Sequence, residues 1–506
     1  MDNRFYFGFN TSEERKKRRK AELYSMSEQV STFFWDEAPQ HGLEMREGQQ
    51  DMSFEIVDAL INDQHFAIEA GVGIGKSFGY LVPVLLYSKR MNKPVIIATS
   101  TIALQEQLWR DVHAVMPLLG LNRDVILAKG QTHYLCNKRA DEYMCDPKAD
   151  PPDALKEGIQ QGYEERKDFP EVLPQGVWDK VNVQRFSMKN CGFCEKKCKY
   201  YKVRAALKFT DGVVLCNQDF LTQHLMKLRR GQEGMINAAA DLLVVDEAHN
   251  LDDKVRSATT ERFGQGMLFG MIKSAFYELR SFDQSSVSGE KREAESAIIA
   301  FYNCLKAQVQ KQINEAEQDM RYADRFFFDN NGSAIELLTE MNAAIHNLSS
   351  SIQIYSSMDF RNNRSFAASD DLDAVSESLS ELLDRIDDML IWIEQHGSNT
   401  ELVYCPKNTK EIVSRLYFNG DERTILTSAT LTNATSGSLE EQYSYFISNT
   451  GFPAGDRGCL SEPKPSPYPY DEHAMIYYCD DLPHPTREHE AFIEKGVDCL
   501  LYTSDA

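Results

Sequence analysis

Hydrophobic residues occur along this chain in short runs, and segments with helical periodicity separate several of them. Six runs have the length and the content of β-branched and apolar residues that are typical of buried strands: HFAIEA, PVIIATS, DVILAKG, GVVLCN, DLLVVDEAH and TILTSAT. Helical stretches follow the first two runs, at KSFGYLVPVLLYSKR and TIALQEQLWRDVHAVM. Apolar strands that alternate with helices predict an α/β fold, in which helices cover both faces of a parallel sheet.

Two long segments interrupt this alternation. Residues 131–211 contain five cysteines and little apolar periodicity. Residues 252–400 are polar, and DAVSESLSELLDRIDDMLIWIEQHG within them has the apolar spacing of a helix. The pattern therefore predicts an α/β domain at residues 41–130 and 212–251 with a cysteine-rich insertion and a helical insertion. Residues 401–506 are expected to return to that domain.

The N-terminus carries a run of charge, EERKKRRKAE, within a predicted charged extension, residues 1–40. Thr11 and Glu14 have the spacing of a capping box, which predicts a helix start. Residues 15–20 suit either an arm that contacts phosphates or a solvated helix face. The solvated face is favoured, because charge runs usually have that role.

Composition narrows the class of protein. A length of 506 residues predicts about three domains, and 42% hydrophobic with 26% charged residues is a globular balance. No apolar run is long enough to cross a bilayer, and MDNRFYFGFN lacks the apolar core of a secretory signal, so a cytoplasmic protein without a membrane partner is expected. A net charge of −22 argues against a nucleic-acid partner but is compatible with a local basic groove.

The segment EAGVGIGKS directly follows a predicted strand and precedes a predicted helix, as a Walker A phosphate-binding loop requires. Its glycines let backbone N–H groups point at phosphates, and the predicted nucleotide-binding residues are Ala70, Gly71, Gly73, Gly75, Lys76 and Ser77. Lys76 would reach the β and γ phosphates of ATP, and the Ser77 hydroxyl would bind Mg²⁺. Ala70 stands where the motif usually has its first glycine. The alternative interpretation is a glycine-rich turn without a ligand.

The run LLVVDEAH supplies the carboxylates that a magnesium-dependent ATPase needs. Asp246 would hold Mg²⁺ through water, and Glu247 would orient and deprotonate the attacking water. His249 would couple the site to movement. Alone, this DEAH box resembles an acidic helix start. Its position after a predicted strand and downstream of the phosphate-binding loop favours an ATPase.

The order of the motifs resembles that of superfamily 2 helicases of the DinG/XPD type. MREGQQDM, EAGVGIGKS, TSTIALQEQL, the cysteine insertion, VLCNQDFL, VVDEAHN, the helical insertion and TSATLT follow one another over about residues 40–485. The resemblance implies a RecA-like ATPase lobe, an iron–sulfur insertion and a helical arch. It also implies a second RecA-like lobe, of which residues 401–506 would hold only the start.

The resemblance further implies roles for single residues. Gln49 would bind the adenine edge, and Thr101 and Gln105 would lie along the DNA backbone. Three residues of TSATLT would link hydrolysis to strand movement: Thr427, Ser428 and Thr430. Gln218 departs from the family, which usually has histidine there, so the role of that histidine does not carry over.

The cysteines are better explained as thiols or metal ligands than as disulfides in a cytoplasmic protein. Four of them have the grouping of one metal site: Cys136, Cys191, Cys194 and Cys198. By ligand type they suit a [4Fe–4S] cluster and a zinc ion equally, and the family resemblance favours iron–sulfur. Cys145 is the substitute ligand but is expected to be spare. Cys216 is expected in the core, and unrelated buried thiols are the remaining alternative.

These features predict an ATP-dependent DNA helicase with ATP, Mg²⁺ and a [4Fe–4S] cluster. By the resemblance it translocates 5′ to 3′ on single-stranded DNA and unwinds forked or displaced-strand DNA in repair or replication. A module that grips single strands without unwinding and a zinc-stabilised fragment are the alternatives. An attached nuclease is disfavoured, because about 40 residues before the adenine motif leave no room for one.

The end of the chain is expected to belong to the second lobe. MIYYCDDL has the composition of a strand, and LLYTS, residues 500–504, is interpreted as either the opening strand of that lobe or a foreign tail. The motifs that complete the nucleotide site would lie beyond it. The chain alone is therefore expected to bind ATP and to hydrolyse it poorly.

Overall fold

The computed structural model describes residues 12–44, 46–170, 173–184, 198–279, 284–316, 323–358, 367–397, 399–468 and 482–504. Its strands are, in chain order, β1 His65–Glu69, β2 Val95–Thr99, β3 Val125–Leu127, β4 Val213–Asn217, β5 Leu242–Asp246, β6 Glu261–Gly264, β7 Arg325–Phe327, β8 Met389–His396, β9 Asn399–Pro406, β10 Arg423–Ser428 and β11 Gly458–Leu460.

The helices occur between these strands and at both ends of the described chain. They are α1 Ser12–Thr32, α2 Ala38–Gln40, α3 Glu47–Ile61, α4 Lys76–Met91, α5 Ile102–Leu118, α6 Asn137–Cys145, α7 Asp153–Gln160, α8 Gln175–Val181, α9 Lys199–Phe209, α10 Gln218–Arg229, α11 Leu251–Ala258, α12 Gln265–Glu278, α13 Ser288–Glu315, α14 Gly332–Met358, α15 Ala367–Asp384, α16 Lys410–Tyr417, α17 Leu439–Gln442, α18 Ser444–Thr450 and α19 His489–Ser504. Within the described ranges, none of these helices is both long and apolar enough to cross a membrane.

Seven strands form one parallel sheet in the order β11-β1-β10-β5-β2-β4-β3. Six of them coincide with the six predicted runs, so the predicted α/β fold with a parallel sheet is confirmed. The seventh, β11, pairs with β1 at the sheet edge, where Gly458 lies opposite His65. Its three residues are too few for any periodicity to be recognised in the sequence.

Helices cover both faces of this sheet. Alternate strand residues such as Ile97 and Val244 pack with α1, α3, α4 and α5 in one apolar core. Their sequence neighbours Ala98 and Val245 pack with α10, α11, α16 and α18 in a second core. Because each strand is buried on both faces, its sequence is apolar throughout rather than alternating.

The N-terminal helix α1 is part of the α/β lobe, so the prediction of a separate charged extension over residues 1–40 is wrong for its described part. Leu23, Met26 and Val30 recur at helical spacing on α1 and are buried in the core that α3 and α4 share. Arg19 Nη1 lies 3.0 Å from Asp63 Oδ1. Arg19 therefore ties the helix to the lobe, while Thr11 of the predicted capping box lies outside the described residues.

The segment predicted as a helical insertion contains four long helices, α12 to α15, and also an antiparallel sheet in the order β6-β9-β8-β7. The predicted helix DAVSESLSELLDRIDDMLIWIEQHG is correct only as far as Asp384. IWIEQHG forms β8 and the following turn, because β8 pairs along its whole length with β9 and its end pairs with β7. The predicted boundary at residue 400 falls inside β9, so this insertion extends to Pro406.

The structure also differs from the strands that were predicted near the C-terminus. LLYTS lies in helix α19 and not in a strand. Most of MIYYCDDL lies outside the described residues. Among the residues described after Leu460, none belongs to a strand, so the described part of the chain contains no sheet of a second lobe.

The cysteine insertion has a small apolar core of its own, centred on Trp178 and Phe169, which the sequence pattern did not reveal. An ion-pair network joins it to the lobe. Lys129 Nζ lies 2.7 Å from Glu106 of α5 and 3.2 Å from Glu165 of the insertion. The hydrogen bond from Lys129 lowers the pKa of Glu106 below its usual value. The Lys129 side chain is only 4% exposed, so its charge depends on these two carboxylates.

We predict that Lys129→Met lowers the free energy of unfolding by about 2 kcal/mol in urea titration, because two partly buried carboxylates lose their shared cation. The matched control is Lys138→Met. Lys138 is 58% exposed and lies 3.8 Å from Glu142, so its loss should change stability by less than about 0.5 kcal/mol. Adding Glu106→Gln and Glu165→Gln to Lys129→Met should recover part of the loss. Equal effects of the two lysine changes would contradict a stabilising role for the network.

Candidate nucleotide site

The phosphate-binding loop connects the end of β1 to the start of α4. Gly75 caps the N-terminus of α4 with φ +86°, a left-handed conformation that favours glycine. Gln49 Nε2 donates to the Gly75 carbonyl at 3.0 Å, and a Cβ on Gly75 would lie 2.5 Å from that nitrogen. The predicted adenine-side residue and the phosphate-binding loop are thus in direct contact.

Ala70 suits its place at the start of the loop. Its side chain is fully buried, and its N–H donates to the Ser428 carbonyl of β10 at 2.8 Å. Because there is space for the methyl group of Ala70, this position does not require the glycine that the motif usually has. Gly71 and Gly73 lie against residues 464–468, a contact that the sequence did not predict.

Lys76 and Ser77 begin α4 and face carboxylates. Lys76 Nζ lies 3.0 Å from Glu247 Oε1, and both side chains are partly exposed. The Ser77 hydroxyl hydrogen-bonds Asp111 of α5, whose pKa is raised because the carboxyl is partly buried. Asp111 was not predicted, since a single acid within an amphipathic helix has no distinguishing sequence signal.

Asp246 is the most buried carboxylate of the site. Burial raises its pKa to about 6, and the Lys76 charge acts in the opposite direction. Thr99 Oγ1 donates to Asp246 Oδ2 at 3.3 Å, whereas Asp246 Oδ1 has no hydrogen-bond partner within the described residues. An orphaned carboxylate oxygen, together with the Ser77 hydroxyl, is a set of hard oxygen donors that fits Mg²⁺.

Glu247 lies at the centre of a polar network. Its backbone has φ +55°, which is unusual for a residue with a side chain and turns the carboxylate toward Lys76. Its Oε2 accepts from Ser428 Oγ at 3.4 Å. Ser428 Oγ lies 2.6 Å from His249 Nδ1. The phosphate-binding loop, the DEAH box and the TSATLT motif therefore meet in one set of contacts.

The described cysteines of the insertion are found in two environments. Cys136 and Cys198 belong to one small apolar cluster with Tyr134 and Tyr200, and each immediately precedes a helix. Cys191 and Cys194 lie outside the described residues. Among the residues that are described, no group of three or more candidate ligands is close enough to hold a metal.

The remaining cysteines are separate from that pair. Cys145 is exposed at the far end of α6, nine residues or roughly 13 Å along the helix from Cys136. Cys216 is fully buried in β4, as expected for a core residue, and burial raises the pKa of its thiol.

Residues 132–266 match the DEAD_2 family model, a range that runs from the cysteine insertion through the DEAH box. The probable ATP-dependent helicase YpvA of Bacillus subtilis is 24% identical over 88% of this chain and 69% of that protein. The ATP-dependent helicase DinG of Mycobacterium tuberculosis is 30% identical over 42% of this chain and 35% of that protein. The family model and these relatives together support a helicase of the DinG/XPD type, to which this chain is similar over the ranges given.

Two further proteins are similar to this chain. The 3′-5′ exonuclease DinG of Bacillus subtilis is 25% identical over 86% of this chain and 50% of that protein. Xpd4 of S. tokodaii, a solved structure, aligns over 89% of this chain and 66% of that protein with 13% identity and a TM-score of 0.39. The chain spans between about a third and about two thirds of the length of the sequence relatives named here.

Gln218, where the DinG/XPD-type pattern usually has histidine, has a structural role in this chain. It is fully buried, and its Nε2 donates to the carbonyls of Asp246 at 2.7 Å and Glu247 at 3.1 Å. A side-chain amide can hold two backbone carbonyls in this way without a change of charge. Gln218 thus supports the unusual backbone conformation of Glu247.

The two residues that were expected along the DNA backbone, Gln105 and Thr101, lie in different environments. Gln105 is fully buried and donates to the carbonyls of Ala128 and Leu215, so the expectation that it lies along DNA is wrong. Its amide instead joins α5 to β4 and to the residue that follows the edge strand β3. Thr101 is exposed and caps α5 by accepting from the Leu104 N–H at 3.2 Å. Thr101 remains accessible to a ligand.

The TSATLT turn is organised by a residue that the sequence did not single out. Glu69, the last residue of β1, accepts hydrogen bonds from the backbone of Leu431 and Thr432, both at 2.6 Å. Thr427, near the end of β10, is buried, and its hydroxyl has no hydrogen-bond partner in the part of the chain that the structure describes. In the turn, Thr430 donates its N–H to Ser428 Oγ. Because Glu69 directly precedes the phosphate-binding loop, loop and turn share one anchor.

Proposed function

We propose that this chain is the ATP-binding part of a cytoplasmic ATP-dependent DNA helicase, which couples ATP hydrolysis to translocation on single-stranded DNA. The convergence of Lys76, Asp246 and Glu247 carries the proposal: they follow the ends of β1 and β5, the two strands that flank β10. The names of the relatives support helicase activity. The direction 5′ to 3′ and a role in repair or replication rest on the family resemblance.

Each side chain of the site has a separate role in the proposed hydrolysis of ATP. Ser77 and Asp246 would hold Mg²⁺, which neutralises charge on the β and γ phosphates. Lys76 leaves Glu247 and binds the γ-phosphate. Glu247, freed from that ion pair, accepts a proton from the attacking water. Ser428 and His249 contact Glu247 from the other side and would transmit the change to the TSATLT turn.

A basic groove supports single-stranded DNA as the partner despite the acidic net charge. A cavity of about 650 Å³ lies between α5, β3, α9 and the cysteine insertion. Trp109, which is 40% exposed, contributes an aromatic ring. Four cations line the cavity, together with the carboxylates of Glu106 and Glu165: Arg110, Lys167, Lys199 and Lys202. Cations that follow a backbone and rings that stack on bases are the features of single-strand binding sites.

The cysteine insertion, residues 131–211, is proposed to hold a [4Fe–4S] cluster through Cys136, Cys191, Cys194 and Cys198. The shared environment of Cys136 and Cys198 supports this ligand set. Each of the two residues precedes a helix, whose positive end favours a thiolate. Forked or displaced-strand DNA as the substrate, and residues 252–406 as an arch over it, are further parts of the proposal.

Two changes test the nucleotide site. Lys76→Ala should weaken Mg·ATP binding by at least about tenfold in calorimetry, because the cation for the γ-phosphate is lost. In the full-length protein, Glu247→Gln should abolish phosphate release because the base is lost, and it should tighten Mg·ATP binding because Lys76 is no longer held in an ion pair. Lys89→Ala, an exposed lysine in the last turn of α4, is the control and should change neither. Normal turnover in Glu247→Gln would contradict the assigned base.

The groove predicts steep salt dependence of single-stranded DNA binding. Replacing both Lys199 and Lys202 with glutamate should reduce the affinity and make the slope of log K against log salt shallower by about 1.4, since each phosphate contact contributes about 0.7. The same change at Lys17 and Lys20 of α1 is the control and should leave the slope unaltered. A shallower slope for the Lys17 and Lys20 variant alone would favour a phosphate-contacting arm on α1. If the unchanged protein did not bind single-stranded DNA, the chain would instead be a structural fragment.

The proposed [4Fe–4S] cluster can be tested by the absorbance of the purified protein. Protein purified without oxygen should absorb at about 400 nm and contain about four iron and four sulfide per chain. Replacing Cys136, Cys191, Cys194 or Cys198 with serine should remove this absorbance. The control, Cys145→Ser, should keep it. A colourless protein with one zinc would contradict the cluster. Bleaching by Cys145→Ser would contradict the ligand set.

A further inference from the structure

Glu69 contacts the chain that follows β10 through both its backbone and its side chain. Its Oε2 accepts from the N–H groups of Leu431 and Thr432, both at 2.6 Å, and from the Thr432 hydroxyl at 2.9 Å. Its N–H donates to the Tyr443 hydroxyl at 2.8 Å. Three donors meet at one carboxylate oxygen, so the side-chain contact depends on how far that oxygen reaches from β1.

The same turn is fixed to β1 at its other end. Ser428, the last residue of β10, lies opposite Glu69 in the parallel pairing of the two strands. The Ser428 carbonyl accepts from the Ala70 N–H at 2.8 Å. Only residues 429–431 lie between Ser428 and Thr432. Because both ends of so short a segment are held by Glu69 and its neighbour, few conformations are open to the turn.

The Ser428 hydroxyl extends from this turn to the proposed base. Its Oγ accepts from the Thr430 N–H at 3.4 Å and donates to Glu247 Oε2 at 3.4 Å. A hydroxyl has a single proton to donate, and an N–H that occupies one of its lone pairs restricts the direction of that proton. The conformation of the turn therefore affects how Ser428 holds the Glu247 carboxylate.

We propose that Glu69 is a positioning residue for ATP hydrolysis, which holds residues 428–432 so that the Ser428 hydroxyl orients Glu247. This inference rests on the proposed function and adds to it a residue that acts through Ser428. Loss of the contact misplaces the base without removing a group that binds phosphate, so it lowers kcat and leaves KM for Mg·ATP unchanged. The reach of the Glu69 side chain matters more than its charge, because all three of its side-chain partners are neutral donors.

Two substitutions separate reach from charge. Glu69→Asp keeps the carboxylate but withdraws it from the turn by one methylene, and kcat of the full-length protein should fall at least about tenfold with KM within about twofold. Glu69→Gln keeps the reach, and its amide oxygen can accept the same hydrogen bonds, so kcat should stay within about threefold.

Tyr443→Phe is the matched control, because it removes a hydrogen bond to the backbone of Glu69 and leaves the contact with residues 431 and 432 in place. The Tyr443 hydroxyl also donates to the Ser461 carbonyl at 3.0 Å. Loss of both hydrogen bonds should lower the urea midpoint of unfolding without changing kcat or KM. A fall in kcat as large as that of Glu69→Asp would show that any weakening of this part of the sheet slows hydrolysis, and would overturn the positioning role.

A double-mutant cycle tests whether Glu69 acts through Ser428. In the Ser428→Ala background, which lacks the hydroxyl, Glu69→Asp should lower kcat no further. The same loss in both backgrounds, unchanged kcat in Glu69→Asp alone, or equal losses in Glu69→Asp and Glu69→Gln would each overturn the proposal. If the unchanged full-length protein did not hydrolyse Mg·ATP, the proposed function itself would fail. Turnover by the unchanged protein therefore separates the two failures.

Discussion

The alignment of three adjacent parallel strands is the constraint on which the nucleotide site depends. In the β1-β10-β5 part of the sheet, Glu69 lies opposite Ser428, and Thr427 lies opposite Asp246. Parallel strands end at the same edge, so the three loops that follow them start within a few ångströms of one another. Glycines, carboxylates and hydroxyls that are far apart in sequence are brought together by this register alone.

Bringing these charges together has an energetic cost that the site offsets locally. Asp246 is buried enough for its pKa to reach about 6, and Glu247 adopts φ +55°. The Lys76 ion pair and the two hydrogen bonds from Gln218 to backbone carbonyls compensate in the nucleotide-free state. In the proposed function a phosphate would replace Glu247 as the partner of Lys76, so the free energy of ligand binding would substitute for that of an existing contact.

Elements with a hydrophobic period and sites with a motif can be predicted from the sequence. Elements and residue roles that depend on tertiary contacts cannot. Six buried strands were recognisable because burial on both faces makes each a continuous apolar run. β8 was mistaken for helix, because IWIEQHG is extended only through pairing with β9 and β7. Gln105 was mistaken for a DNA contact, since no local pattern shows that its amide is enclosed by β3 and β4. The anchoring role of Glu69 likewise depends on β10, more than 350 residues away.

Residues 464–468 pack against the glycine-rich loop and give two of its glycines a second role. Gly71 and Gly73 are expected in any phosphate-binding loop for the sake of its N–H groups, but here each also admits a neighbour that a methyl group would exclude. Residues 464–468 are also hydrogen-bonded to the loop, and Lys464 is ion-paired to Glu55 of α3, so they join these two elements. Glycine at positions 71 and 73 is therefore required by the packing of the chain after β11 as well as by the shape of the loop.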